Sequence, residues 1–481
     1  MMANEIEIRR DEWRGASFGD GGSEDVEVVA QAYADYILAN VDGPHKVLVS
    51  HDGNCNSVEA AWGIARILFN NGITVDIVRH PGSAFAVSFY IREKGYSGGV
   101  VVDEDVREKR IRIRFRAPYG GPIDSEITRK LNYYMRMNKI RRKPVGGGEI
   151  NEIVNIFPDY LGRLERLIDF GTVARLSGTV VLDLKGGVCT DESIKSFFRQ
   201  VGVEVDFIND TSGVKVRRWE TYGVGLTELV GEVRRRKAKL GVAIDPSGCF
   251  IGIVDEEGNI VDGEIISCLL YGYIAKVRMN PVDVVKTVSV SDLIRRVAKK
   301  FNRRVYEAPL VDQCVVEKMQ ESEAGFAFDD KGGIIVRDNV YDKDGIVSTL
   351  LVMEMMGYYN LRLSDMVQEL FMKYGRYFFR RTEKKVSPDL VDRIVSKLRN
   401  TPPVSIGDLR VNSTLLLDGV KFYFDNQSWL LVKHSNYPGI VEICSGGQDE
   451  EVVCKLLDYG KRIFEEYEIV KFHIPVRNVF Y

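Results

Sequence analysis

Four short stretches of this 481-residue chain pair reactive side chains with a frame that presents them. Gly98-Gly99 leads into Val100, Val101 and Val102 and then into three carboxylates, Asp103, Glu104 and Asp105. In an open α/β sheet ligands bind beyond the carboxyl ends of the strands, so acids there are site candidates; they also serve simply to solvate a strand end. Asp245-Pro246-Ser247-Gly248-Cys249-Phe250 again follows an apolar run. A hard cation takes several oxygen ligands, and this turn offers one carboxylate, Asp245, and one hydroxyl, Ser247, which equally describes an ordinary Asp-Pro turn. Glu321-Ser322-Glu323-Ala324-Gly325 brings carboxylates and a hydroxyl that suit paired sugar hydroxyls, or a solvated acidic loop. Lys433-His434-Ser435-Asn436-Tyr437-Pro438-Gly439 ends an apolar strand with a cation, a hydroxyl and an amide. That set can cradle a phosphate or make a polar turn.

Charge marks a fifth stretch. Residues 107–143 hold 13 Lys or Arg against three acids, Glu108, Asp124 and Glu126, a balance of +10. Arg110, Arg112, Arg114 and Arg116 alternate there with Ile111, Ile113 and Phe115, which puts four guanidiniums on one face of a strand. Arginine suits phosphate and nucleic-acid recognition, so a polyanion or protein partner is one expectation for this face. A solvated or ion-paired face is the other.

The elements that must position these stretches read as α/β, with apolar runs alternating between strand and helix periods nearly from end to end. Lys46–Ser50 predicts a buried strand, Ser57–Asn70 an amphipathic helix and Thr74–Val78 the next strand. Thr179–Asp183, Asp191–Val201 and Val203–Ile208 repeat that βαβ plan. Leu240–Ile244 and Phe250–Val254 are further strands, Glu256-Glu257-Gly258 a hairpin turn, and Glu264–Val277 a long apolar helix. A helix at Ser387–Arg399 precedes short strands at Lys421–Phe424 and Trp429–Val432. The clearest linker is Lys143-Pro144-Val145-Gly146-Gly147-Gly148. Four modules are expected: 1–150, 151–257, 258–377 and 378–481.

Composition narrows the class. With 45% hydrophobic and 28% charged residues and 14 prolines the chain buries cores rather than staying disordered. Its 66 basic and 69 acidic residues leave −3, a total that calls for neither a nucleic acid nor a membrane. No apolar stretch approaches the roughly 18 residues of a bilayer span, and the N-terminal residues carry no signal-peptide apolar run, which points to the cytoplasm. Seven scattered cysteines without a C-x-x-C pair suggest buried thiols, and five isolated histidines argue against a histidine-rich metal site.

Taken in order, the four stretches resemble the loops of the α-D-phosphohexomutase family, which includes phosphomannomutase, phosphoglucomutase and phosphoglucosamine mutase. The resemblance runs from about Lys46 to Gly446. The family carries a phosphorylated serine in a T-A-S-H-N-P loop after a Gly-Gly strand, and Asp105 falls at that serine. Gly120-Gly121-Pro122-Ile123-Asp124-Ser125-Glu126 resembles the turn into the last helix of the family's first domain. In the D-G-D-A-D-R loop three aspartates hold magnesium; only Asp245 remains here. The sugar loop G-E-x-S-G-H becomes Gln320-Glu321-Ser322-Glu323-Ala324-Gly325, which keeps Glu321 and puts Glu323 and Gly325 in place of serine and histidine. The phosphate loop R-x-S-N/G-T becomes Lys433-His434-Ser435-Asn436-Tyr437, which keeps the charge, Ser435 and Asn436. The resemblance implies three α/β domains with mixed sheets and a smaller C-terminal α+β domain around a central cleft, and a phosphosugar held by Glu321, Glu323, Lys433, Ser435 and Asn436.

The departures fall on one chemical step. A missing phosphoserine removes the phosphoryl donor, and two missing aspartates remove the charge-neutralising cation and leave Asp245 alone as a magnesium ligand. The expectation is a phosphosugar-binding member whose mutase activity is lost or strongly reduced, a pseudoenzyme. Two alternatives stand beside it: a regulatory or polyanion-binding protein using residues 107–143, and an active mutase with Asp105 in the serine position.

Overall fold

The structure is a computed structural model and describes residues 6–15, 22–105, 110–137, 139–211, 223–278, 281–435 and 439–472. The chain groups into two units, residues 1–285 with 311–367, and residues 286–310 with 368–481.

In the first unit β1 (Glu12–Gly15), β2 (Lys46–His51), β3 (Thr74–Val78), β4 (Gly98–Asp105), β5 (Arg110–Ala117), β6 (Gly121–Pro122) and β7 (Ile150–Ile153) form one sheet. Its order is β1-β5-β4-β2-β3-β7, with β6 on β5. The strands β2, β3 and β4 run parallel, whereas β5 returns antiparallel to β4. Val47, Val49, Val75, Val100, Val102, Ile111 and Ile113 bury one face against the helices Gly22–Asn40 and Cys55–Asn70. Leu48 and Val101 are buried too, on the opposite face, so these strands need apolar residues at every position rather than at alternate ones. The chain re-enters this sheet after the glycine-rich Lys143–Gly148 stretch, because β7 pairs in parallel with β3.

A second sheet holds β8 (Thr179–Asp183), β9 (Glu204–Ile208), β10 (Leu240–Ile244), β11 (Ile251–Asp255) and β12 (Ile260–Val261) in the order β12-β11-β10-β8-β9. Val181, Ala243 and Val254 pack on Leu226, Leu229 and Val233 from the start and body of the helix Thr227–Arg236. The turn expected at Glu256-Glu257-Gly258 is closed by a hydrogen bond from Gly258 N–H to the Asp255 carbonyl. The helix expected at Asp191–Val201 spans Glu192–Phe198, because Asp191 caps it by accepting from Ser193 N–H.

Beyond these lie the strands β13 (Val284–Thr287), β14 (Val305–Ala308), β15 (Phe326–Phe328) and β16 (Ile334–Val336), with β15 and β16 antiparallel. In the second unit β17 (Phe378–Lys385), β18 (Ser405–Ile406), β19 (Leu409–Leu415), β20 (Val420–Phe424), β21 (Trp429–His434) and β22 (Ile440–Gly447) make an antiparallel sheet ordered β17-β22-β21-β20-β19-β18. One face, with Phe422, Leu430, Val432 and Ile443, packs on the helices Pro388–Asn400 and Glu450–Phe472. Trp429, Leu431 and Cys444 cluster with Val288 on the other. Among the described residues no helix is long and apolar enough to cross a membrane.

Candidate functional site

The hairpin of β4 and β5 sets the charges around Asp105. Its register places Asp103 opposite Arg112 and Asp105 opposite Arg110. Asp103 accepts from Arg112 Nε at 2.6 Å and from Arg114 Nη2 at 2.7 Å. Burial pushes the Asp103 carboxyl up, but the two guanidiniums outweigh it and hold it below its ordinary value. Asp105 is buried at the strand end, with Arg14 Nη1 3.3 Å from Oδ2. Arg116 is fully buried between Asp11, at 3.2 Å, and Asp342, at 2.9 Å. Burial raises both carboxyls, Asp11 to about 6, against the opposing pull of Arg116. Three of the four guanidiniums that favoured a polyanion are therefore committed to carboxylates. Arg110 is exposed, and residues 106–109 lie outside the described residues.

The Asp245 loop folds around its own carboxylate. Oδ1 accepts from the N–H groups of Cys249 at 2.7 Å and Phe250 at 2.8 Å, and Oδ2 from Ser247 N–H at 3.0 Å and Ser247 Oγ at 2.6 Å. Gly345 N–H clamps the loop from outside by bonding the Gly248 carbonyl at 2.9 Å. Burial raises the Asp245 carboxyl even with these four donors. Burial, reinforced by Asp245, also pushes the Cys249 thiol up to about 12. The Arg114 charge opposes the effect of burial on both the Cys249 thiol and the Asp342 carboxyl.

This donor set does not fit magnesium. A hard divalent cation needs several oxygen ligands with free lone pairs, whereas both Asp245 oxygens already take two donors each and the remaining loop side chains are a hydroxyl and a protonated thiol. Among the described residues no three His, Cys, Asp or Glu side chains converge as a metal site. A protein cation lies beside the loop instead. Lys343 Nζ sits 4.7 Å from the centre of the Phe250 ring and bridges Asp312 at 2.7 Å and Asp329 at 2.6 Å.

The other expected residues are placed differently. Glu321 ends the helix Asp312–Glu321, exposed and paired with Lys318 at 2.6 Å. Glu323 is exposed in a left-handed conformation, φ 54°, and its carbonyl accepts from Arg337. In the second unit Lys433 is buried, with Nζ 3.0 Å from Glu442, its register partner on β22. Burial lowers the Lys433 ammonium, but Glu442 and Asp418 more than reverse it. Ser435 follows, half-buried, with its N–H bonded to the Ile440 carbonyl at 2.9 Å, and Asn436 lies outside the described residues.

Sequence reasoning missed Asp11, Asp312, Asp329, Asp342 and Lys343, whose partners are too distant in the chain for spacing to reveal. A weak signal existed in Asp342-Lys343-Asp344-Gly345, alternating charges before a helix. Asp344 caps that helix through the N–H groups of Ile346 and Val347, both at 3.0 Å. Also unforeseen was a pocket of about 580 Å³ in the second unit, lined by Asp292, Arg295, Glu307, Tyr377 and Tyr423 among others.

Sequence profiles of the phosphoglucomutase/phosphomannomutase α/β/α domain I and domain III match residues 6–140 and 262–374. The phosphoglucosamine/phosphogalactosamine mutase of Sulfurisphaera tokodaii is 26% identical over 403 residues, covering 79% of this chain and 83% of that protein. A phosphoglucomutase/phosphomannomutase family protein from Burkholderia thailandensis superposes with a TM-score of 0.79 at 16% identity, over 97% of this chain and 98% of that one. Aspergillus fumigatus N-acetylphosphoglucosamine mutase, in complex with GlcNAc-6P and magnesium, does so with a TM-score of 0.50 at 12% identity, over 93% and 99%. The mixed α/β architecture is thus that of a phosphohexomutase. This chain belongs to the α-D-phosphohexomutase family.

Proposed function

We propose that this protein binds a phosphosugar and that its phosphoserine- and magnesium-dependent mutase activity is lost or strongly reduced. The observation that carries this reading is the Asp245 carboxylate, whose oxygens are filled by four donors of its own loop. Phosphoryl transfer depends on a donor group and on cations that neutralise the charge building on the equatorial oxygens. A carboxylate at position 105 lacks the hydroxyl that carries the phosphoryl group as a serine ester, and the Asp245 oxygens of the metal loop are already taken by its own donors. On this reading the segments 1–150, 151–257, 258–377 and 378–481 each contribute one loop. Asp105 takes the serine position, Glu321 and Glu323 receive sugar hydroxyls, and Ser435, Asn436 and the charge of Lys433 receive the phosphate.

The test is titration calorimetry with hexose 1- and 6-phosphates, in EDTA and in magnesium, beside a coupled mutase assay primed with a hexose bisphosphate. Binding equal in both buffers with turnover at background is expected. Turnover that disappears in Asp105→Ala would support the active-mutase alternative instead, and absence of any hexose-phosphate binding would sink the phosphosugar reading.

A further inference from the structure

Three of the four arginines on β5 are paired with acids inside the fold, but a second basic segment is answered by few acids. Residues 295–304 read Arg-Arg-Val-Ala-Lys-Lys-Phe-Asn-Arg-Arg, six cations and no acid. The helix Leu293–Lys299 buries Leu293, Ile294, Val297 and Ala298, which turns Arg295, Lys299 and Lys300 to the outside. The chain then doubles back through a bond from Arg303 N–H to the Ala298 carbonyl, which keeps exposed Arg303 beside the helix end. Arg296 Nη1 donates to the Tyr374 carbonyl at 2.6 Å, which joins this helix to the segment carrying Lys373 and Arg376, both exposed.

Carboxylates answer few of these charges. Arg295 is paired with Asp292 and Glu307. Among the described residues, Arg296, Lys299, Lys300, Arg303, Lys373 and Arg376 make no ion pair with an acid. Exposed Glu369 lies one helical turn before Lys373 without pairing to it. Lys373 acts on Lys300 and holds its ammonium below its ordinary value. Neighbouring like charges destabilise the free protein. A helix C-terminus favours one or two cations, but it does not account for six, three of them outside the helix and its cap.

We infer that this face of the second unit docks the phosphate backbone of a duplex nucleic acid, without reading its sequence. Phosphates are favoured over bases because the neighbouring rings are already covered. Arg296 lies 5.5 Å from the Tyr377 ring centre, Lys373 5.3 Å from that of Tyr374, and Arg376 5.8 and 5.0 Å from those of Phe371 and Phe378. Single-strand binding uses open aromatic faces as stacking platforms. Insertion into a bilayer needs an apolar face, and Met372 is the large apolar side chain this patch exposes. The inference goes beyond phosphosugar binding and involves none of the residues assigned to it.

Fluorescence anisotropy with the full chain and an arbitrary-sequence DNA duplex tests it. With at most six phosphates engaged, log K should fall against log salt with a slope no steeper than about −5, close to a thousandfold between about 50 and 200 mM salt. Lys299→Gln/Lys300→Gln/Arg303→Gln/Lys373→Gln leaves two cations and should bring the slope to about −2. If that variant does not fold, Lys299→Gln/Arg303→Gln changes two exposed side chains and should flatten the slope by about 2. Three results would each overturn the inference: no duplex binding at low salt, an unchanged slope in a folded variant, or tighter binding to phosphatidylserine vesicles than to the duplex.

Discussion

Replacing Asp245 separates a structural staple from a metal ligand. In Asp245→Asn the amide oxygen can keep the Cys249 and Phe250 N–H groups, while the new NH2 faces Ser247 N–H. The Ser247 hydroxyl can rotate to accept, so one backbone donor is stranded, at a cost of about 1–3 kcal/mol. Removing a buried charge offsets part of that, because burial already raises the Asp245 carboxyl. The net loss should be about 1–2 kcal/mol, and roughly 3–5 kcal/mol for Asp245→Ala, which strands all three N–H groups. Urea unfolding, with hydrogen exchange at the Cys249 and Phe250 amides, measures both variants. Magnesium should change neither wild type nor variant. A resident ion at a hundred times its Kd would add about 2.7 kcal/mol to the wild type, and a gain of that size that disappears in Asp245→Asn would refute the staple.

Arg116→Met strands Asp11 and Asp342 in the interior and should destabilise by about 3–5 kcal/mol in urea unfolding; adding Asp342→Asn should recover part of it, and no recovery would mean that packing dominates. Asp11 supplies a pH dependence. Its carboxyl is raised from 3.8 to about 6 by burial, so the folded state holds the proton longer than the unfolded state, and its contribution to stability falls as pH rises through that window. The stability of the wild type relative to Asp11→Asn should therefore decrease between those two pH values, and a difference that stays flat would count against it. Gly187→Ala places a Cβ 2.3 Å from the Pro246 backbone and should cost about 1–3 kcal/mol, with the Asp245 loop amides exchanging faster; unchanged exchange would show that the loop gives way without strain.

The strands were legible because both their faces are buried: Lys46–Ser50, Thr74–Val78, Thr179–Asp183 and Leu240–Ile244 recur within a residue. Ends were less so. The helix expected from Ser57 begins at Cys55, since Val58 N–H reaches the Asn54 carbonyl and closes the turn earlier. Phe250 is not part of β11, because its N–H is taken by Asp245. The direction of Lys433 was not legible either. The run Trp429–Val432 is buried on both faces, so no alternation tells which side a following lysine enters, and its partner Glu442 is supplied by a neighbouring strand.

The two basic segments make the same point about charge. Arg110–Arg116 and Arg295–Arg304 look alike as composition, one alternating at strand period and the other at helical spacing. What separates them is the carboxylates that long-range packing delivers. Arg116 meets Asp11 from 105 residues before it and Asp342 from 226 residues after it. Arg14 reaches Asp105 across 91 residues, and Asp103 answers Arg112 and Arg114 from the adjacent strand. Within the helix at Arg295 only the first guanidinium has acids in reach, Asp292 and Glu307. A net charge near zero is therefore compatible with one face most of whose cations are paired inside the protein and another most of whose cations still face solvent. The second kind is the one whose binding of an anion should respond to salt, because exposed charges are screened and buried pairs much less so.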